Sequence, residues 1–206
     1  MEMPNTLEPK QNQTRVMVVA AVLTTIAVVG STFSFPVLGA KCAPAQHFVN
    51  ILAAMLIGPR WAFRSALLAA TIRNLLGLGT LFAFPGSIFG ALLAGLLYKY
   101  TKNPLGAYFG EVFGTAIIGG LAAYPVATLL MGSTKAALFG FIPPFFISTA
   151  GGAVLAMIIV TVLGKRRLSI LSWLHTKKIR NQRSAMTAFR WFLILFLIFM
   201  GAIRKS

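Results

Sequence analysis

Two short clusters hold much of the polar chemistry in an otherwise apolar chain of 206 residues. AQHFVN places Gln46, His47 and Asn50 close together, and RN sets Arg73 beside Asn74. Gln46 and Asn50 lie one helical turn apart on a common face. Ser87 and Tyr124 add hydroxyls further along, and Phe84 adds a flat apolar surface. Amide, imidazole, guanidinium and hydroxyl groups beside an aromatic wall suit recognition of a small molecule. What bond-breaking chemistry needs is missing. After Glu8 the only acid is Glu111, so there are no paired carboxylates and no acid-rich metal motif. H-E-x-x-H and Walker A sequences are absent. Cys42 is the single cysteine, a small packing residue that can form neither an intrachain disulfide nor a Cys-based metal cluster. The expectation is a binding protein with no catalytic residue, no metal and no cofactor of its own.

The elements that position these residues are membrane helices. The chain is 57% hydrophobic and 11% charged, with a mean hydropathy of +0.81, and apolar segments recur between short polar gaps. The net charge of +16 does not indicate nucleic acid. Ten of the nineteen Lys and Arg lie from Lys165 onward and most others flank apolar segments, as on cytoplasmic flanks of membrane helices. Residues 1–15 read as a disordered polar lead. Six helical segments are expected over 16–164, at about Val16–Phe35, Ala45–Ile57, Trp61–Leu76, Phe84–Tyr100, Leu105–Met131 and Ala136–Leu163. Gly58-Pro59 separates the second from the third, and Pro143-Pro144 is expected to bend the sixth. Arg60, Lys99, Lys102 and the cluster Lys165-Arg166-Arg167 outweigh Lys41, Arg73 and Lys135, which orients both ends to the cytoplasm. The fold class is therefore an all-α membrane protein of six transmembrane helices, N-in and C-in, in the cell membrane. Residues 165–206 form a basic tail, in which 189–203 is an accessory hydrophobic helix of only ~22 Å, a short span or an interfacial anchor.

That topology sorts the polar groups by depth. Lys41, Gln46, His47, Asn50, Arg73, Asn74, Thr80, Ser87, Tyr124, Thr128, Ser148 and Thr149 gather in the outer half. Polar groups are costly there unless satisfied, which points to a hydrated cavity or a ligand. Plainer readings exist: Gln46 and His47 as helix caps or headgroup contacts, Arg73 snorkelling to phosphates, Tyr124 as an interfacial aromatic before Pro125. Glu111 is expected near the inner surface, at the depth of Arg64, where a structural ion pair with it or a reach to the inner headgroups is the plainer reading and a substrate or proton role the other. Gly86, Gly90 and Ala94, like Gly110 and Gly114, recur at the spacing that lets helices pack closely. On the first segment Ala20, Thr24, Ala27 and Ser31 make a small-residue stripe without an evident intramolecular use, expected to dock another membrane protein.

Four stretches taken in order, GAKCAPAQHFVNILAAMLIGP, RNLLGLGTLFAFPGSIFGALLAGLLYK, GEVFGTAIIGGLAAYPVA and IPPFFISTAGGAVLA, resemble the ThiW family. These are substrate-binding S components of energy-coupling factor (ECF) transporters. The resemblance spans about Val16 to Leu163. It implies a six-helix fold with an outward-facing pocket, energised by a membrane T subunit and two ATPase subunits that use the ATP. It further implies hydroxyethylthiazole, the small neutral heteroaromatic precursor of thiamine, as ligand, and a helix-1 docking face that the Ala20–Ser31 stripe only approximates. The family patterns fall on Gln46, His47, Asn50, Arg73, Asn74, Thr80, Pro85 and Ser87. Other readings are an S component for another small vitamin, or a small channel or scaffold without a dedicated substrate.

Overall fold

The computed structural model describes residues 8–38, 40–133 and 136–164. The chain divides into two compact units, 1–160 and 161–206, and the candidate site lies in the first. The basic tail 165–206, with the accessory helix expected at 189–203, lies outside the described residues, as do residues 1–7 and Lys135.

The first helix, α1, runs Glu8–Gly30 and ends in a short 3-10 turn, Ser31–Phe33. It begins inside the stretch expected to be a disordered lead. Glu, Lys, Gln and Arg are good helix formers, and Pro9 falls in the first turn, where proline needs no amide partner. Two three-residue strands follow where a loop was expected, β1 Phe35–Val37 and β2 Ala40–Cys42, antiparallel with Phe35 opposite Cys42.

Helix α2, Pro44–Leu75, contains both the second and the third expected segments. It is kinked where the sequence places Gly58-Pro59: Gly58 has φ +79° and ψ 176°, open only to glycine, and Pro59 removes an amide donor. Helix α3 spans Ala83–Thr101. Helix α4, Pro104–Phe113, continues through a π-helical stretch Gly114–Gly119, then α5, Gly120–Pro125, and a second π-helical turn, Val126–Leu130. Helix α6 covers Ile142–Gly164. It starts later than expected, so Pro143 and Pro144 occupy its first turn and do not bend its middle, which costs no internal hydrogen bond.

Burial is distributed as in a protein dissolved in lipid. The interior is mostly small: Ala53, Ala54, Ala62, Ala66, Ala91, Ala94, Ala116 and Ala123 are essentially inaccessible. The exposed side chains include Leu56, Leu68, Phe109, Leu129, Phe146, Val154 and Ile158. Small residues let helices approach, while large apolar groups face the solvent, a pattern that water would penalise. Four helical segments, Gln13–Phe33, Pro44–Leu75, Pro104–Leu130 and Ile142–Val162, are long and apolar enough to cross a membrane. The glycine spacings mark real interfaces: a Cβ at Gly110 would meet the Ala94 backbone at 2.7 Å, and one at Gly114 the Phe89 carbonyl at 2.7 Å.

The small-residue stripe on α1 corrects an expectation. Ala20, Thr24, Ala27 and Ser31 are all buried within the chain, while Met17, Val18, Val22 and Ile26 occupy the outer face. The stripe brings α1 against α2; a Cβ on neighbouring Gly30 would lie 2.7 Å from that of Ala45. These four side chains are packed within the chain.

Candidate functional site

The kink in α2 shortens its first arm to 44–57, so a side chain one turn from its start already lies deep among the other helices. His47 and Asn50 project from this arm toward Glu111 on α4, which is 0% exposed. His47 Nδ1 lies 2.8 Å from Glu111 Oε1, Asn50 Nδ2 donates to the same oxygen at 2.9 Å, and Thr115 Oγ1 donates at 3.4 Å. Asn50 also reaches the Ser87 carbonyl at 3.3 Å, tying α3 to the cluster. With the proton on either partner, the His47–Glu111 pair is neutral as a whole, which lowers its cost in a medium without water. Gly90 makes the carboxyl's seat: a Cβ there would lie 2.9 Å from Glu111 Cδ and Oε2, and against Thr115 Oγ1.

The expected Arg64–Glu111 pair does not form. Arg64 is exposed, with its guanidinium 4.9 Å from the centre of the Trp61 ring. Glu111 sits about two turns into α4, where His47 and Asn50 descend to meet it, so a partner on the second arm of α2 is not needed.

Above this cluster lies a cavity of about 30 Å³, room for about two waters. Gln46 and His47 from α2's first arm line it, with Arg73 from the end of the second arm. Lys41 contributes from β2, Thr80 from the loop before α3, and Ser148 from α6. Phe82 and Phe145 supply the apolar wall, continued by Phe141, whose ring centroid is 4.7 Å from that of Phe82. Since Glu111 takes His47 Nδ1, Nε2 is the ring nitrogen left to the cavity.

Several lining donors are unpaired. Gln46 Nε2 and Arg73 Nε are enclosed and have no hydrogen-bond partner. Arg73 is nonetheless firmly placed, because the chain after α2 turns back and Leu78 and Gly79 donate to its carbonyl at 2.9 and 3.0 Å. Across the mouth, Lys41 Nζ donates to the Leu78 carbonyl at 2.9 Å, joining the hairpin to the 76–82 turn. Under the hairpin, Cys42 is buried with its thiol toward the Pro144 carbonyl, and Ser148 Oγ accepts from the Ala43 amide. Burial pushes the Cys42 thiol pKa up, against an opposing pull from Ser148.

Of the expected site residues, the structure brings Gln46, His47 and Arg73 to the cavity and Asn50 to the layer beneath. Ser87 is buried and contributes its carbonyl, its hydroxyl being turned to Ala83 O. Asn74, Phe84 and Tyr124 are not part of the lining. The Asn74 amide is turned back to Ala70 O at 2.8 Å on its own helix. Phe84 gives way to Phe82 and Phe145. Tyr124 lies in α5, beyond the π-helical stretch. The His47–Glu111 contact was missed. The signal available for it was Thr115, one turn after the lone acid on the same face.

An interior of alanine and glycine, large apolar groups outside and four membrane-capable helices fit a helical membrane protein. The chain belongs to the ThiW family: the model of the thiamine-precursor transporter protein (ThiW) matches residues 17–166. No curated protein and no solved structure matches it.

Proposed function

We propose that this chain is the substrate-capture (S) subunit of an ECF-type importer in the plasma membrane. Six spans with both ends cytoplasmic would leave the cavity open to the outer face. A T subunit and two ATPase subunits would supply the energy, and the chain itself carries out no catalysis. The ligand is a small heteroaromatic thiamine precursor of the hydroxyethylthiazole type. The observation that carries this reading is the cavity itself, in which unpaired buried donors face an aromatic wall within the residues matched by a transporter family.

The ring would lie along Phe82 and Phe145, with hydrogen bonds from Gln46 and from His47 held by Glu111. At about 30 Å³ the cavity is well below the ~300 Å³ at the lower end of ordinary ligand sites. Loading therefore requires the mouth to open, and the Lys41–Leu78 contact is the link across it. Binding is measured by calorimetry on the purified chain in nanodiscs. Hydroxyethylthiazole should bind, and His47→Ala should weaken it by about tenfold or more. Absence of binding to this ligand and to related thiamine precursors, or full affinity in the variant, refutes the site.

A further inference from the structure

The charge lining the cavity is of one sign. Lys41 and Arg73 line it, and no aspartate or glutamate does. The one buried acid, Glu111, is turned to His47, Asn50 and Thr115 in the layer below. Arg73 is only 3% exposed, yet its side chain has no ion-pair or hydrogen-bond partner among the described residues. Gln46, 2% exposed, leaves its amide nitrogen equally unpaired. A largely buried guanidinium whose Nε has no partner, and which has no counter-anion, is costly for a fold to retain. Ser148 Oγ, which accepts from Ala43, adds a hydroxyl to the same lining. The site thus offers a surplus of donors, two full positive charges and no acceptor of matching charge.

We infer that the cavity binds its ligand through an oxyanion, a phosphoryl or carboxylate group seated against Arg73 and Gln46, with the ring on the phenylalanine wall. Guanidinium and amide N–H groups meet such an oxyanion in charge-assisted hydrogen bonds. Lys41, which holds the Leu78 carbonyl, is the donor able to exchange that acceptor for the incoming anion. This deepens the capture reading, and rests on it for the ring though not for the anion. It changes the ligand class from a neutral heteroaromatic alcohol to an anionic derivative of one, such as its phosphate monoester.

The test uses the full chain in phosphatidylcholine nanodiscs and calorimetric titration with hydroxyethylthiazole and with its phosphate monoester. The monoester should bind at least about tenfold tighter. Arg73→Met should erase that preference, lowering the monoester's affinity at least about tenfold more than the alcohol's. Gln46→Glu places a carboxylate beside Arg73, so it should also abolish the preference and raise the melting temperature of the unliganded chain; it carries the test if Arg73→Met does not fold. Equal affinity for the two ligands, or a preference surviving both substitutions, overturns the oxyanion and leaves the capture reading standing. If neither ligand binds, that reading falls. Orthophosphate then decides the anion: stabilisation lost in Arg73→Met sustains it, and no shift overturns it. Stabilisation only by phosphatidylglycerol in the nanodisc, with no response to soluble anions, assigns Arg73 to a lipid headgroup and overturns the proposal.

Discussion

Replacing Gly90 by alanine tests the buried cluster with one methyl group. The new Cβ would lie 2.9 Å from Glu111 Cδ and Oε2, against ordinary contacts of 3.4–4 Å. The carboxyl would have to withdraw by about 0.5 Å, which exceeds the slack in hydrogen bonds that weaken beyond ~3.2 Å. Its bonds to His47 and Asn50 stand at 2.8 and 2.9 Å. Loss of two such bonds at ~1.5–3 kcal/mol each, offset by ~1 kcal/mol of better helix propensity, gives a net cost of about 2–5 kcal/mol. For a domain of this size that corresponds to a fall of roughly 4–20 °C in Tm. Cys42 makes the measurement direct. It is the single cysteine, buried with a raised thiol pKa, so a thiol-reactive dye reports unfolding. In a Glu111→Ala, Thr115→Ala background both close neighbours of the methyl group are gone, and Gly90→Ala should cost little more. A Gly90→Ala protein melting within about 1 °C of the parent, or the same penalty in both backgrounds, would refute the placement of Glu111.

Other consequences of the packing are open to the same assay. Gly58→Ala meets no neighbour, yet its φ of +79° is strained for any side chain, so a loss of about 1–3 kcal/mol is expected from backbone conformation alone; an unchanged Tm would mean that the kink is not fixed there. Arg64→Ala should cost less than about 1 kcal/mol, since only an exposed cation–π contact is lost, whereas Glu111→Ala should cost about 3–5 kcal/mol by leaving His47 without its partner. The reverse order in the melting curves would restore an Arg64–Glu111 pair. Ala27→Leu should destabilise by about 1–3 kcal/mol through overpacking against α2; an unchanged Tm with impaired assembly into a transporter would return that face to a docking role.

How far the sequence carried depended on which physics set each feature. Helical segments were readable because each is a continuous apolar run, and the break at Gly58-Pro59 because no other residue pair stops a helix so plainly. The start of α1 lies earlier than polarity suggests, because Glu, Lys, Gln and Arg favour helix. Gln46 and His47 could be placed by depth, and Arg73 by the same sorting. Depth does not give azimuth, and that is where Asn74 and Tyr124 went astray. The Ala20–Ser31 stripe shows the same limit: small-residue spacing announces a helix contact without naming the partner. The His47–Glu111 contact joins residues on separate helices, and the one local hint of it is Thr115, a turn after the lone acid on the same face.

The π-helical stretch from Gly114 to Gly119 also sets the phase of everything after it. Each wide turn takes up about one residue more than an α-turn, so the helix beyond is rotated by about 100° relative to an unbroken α-helix. Glu111 before the stretch and Tyr124 after it thus obey separate angular registers along one rod. A single-residue deletion within 114–119 would let the rod rewind as α and swing the downstream side chains through that angle while leaving Glu111 in place. The stretch works as a phase shifter, uncoupling the constraints on the two halves.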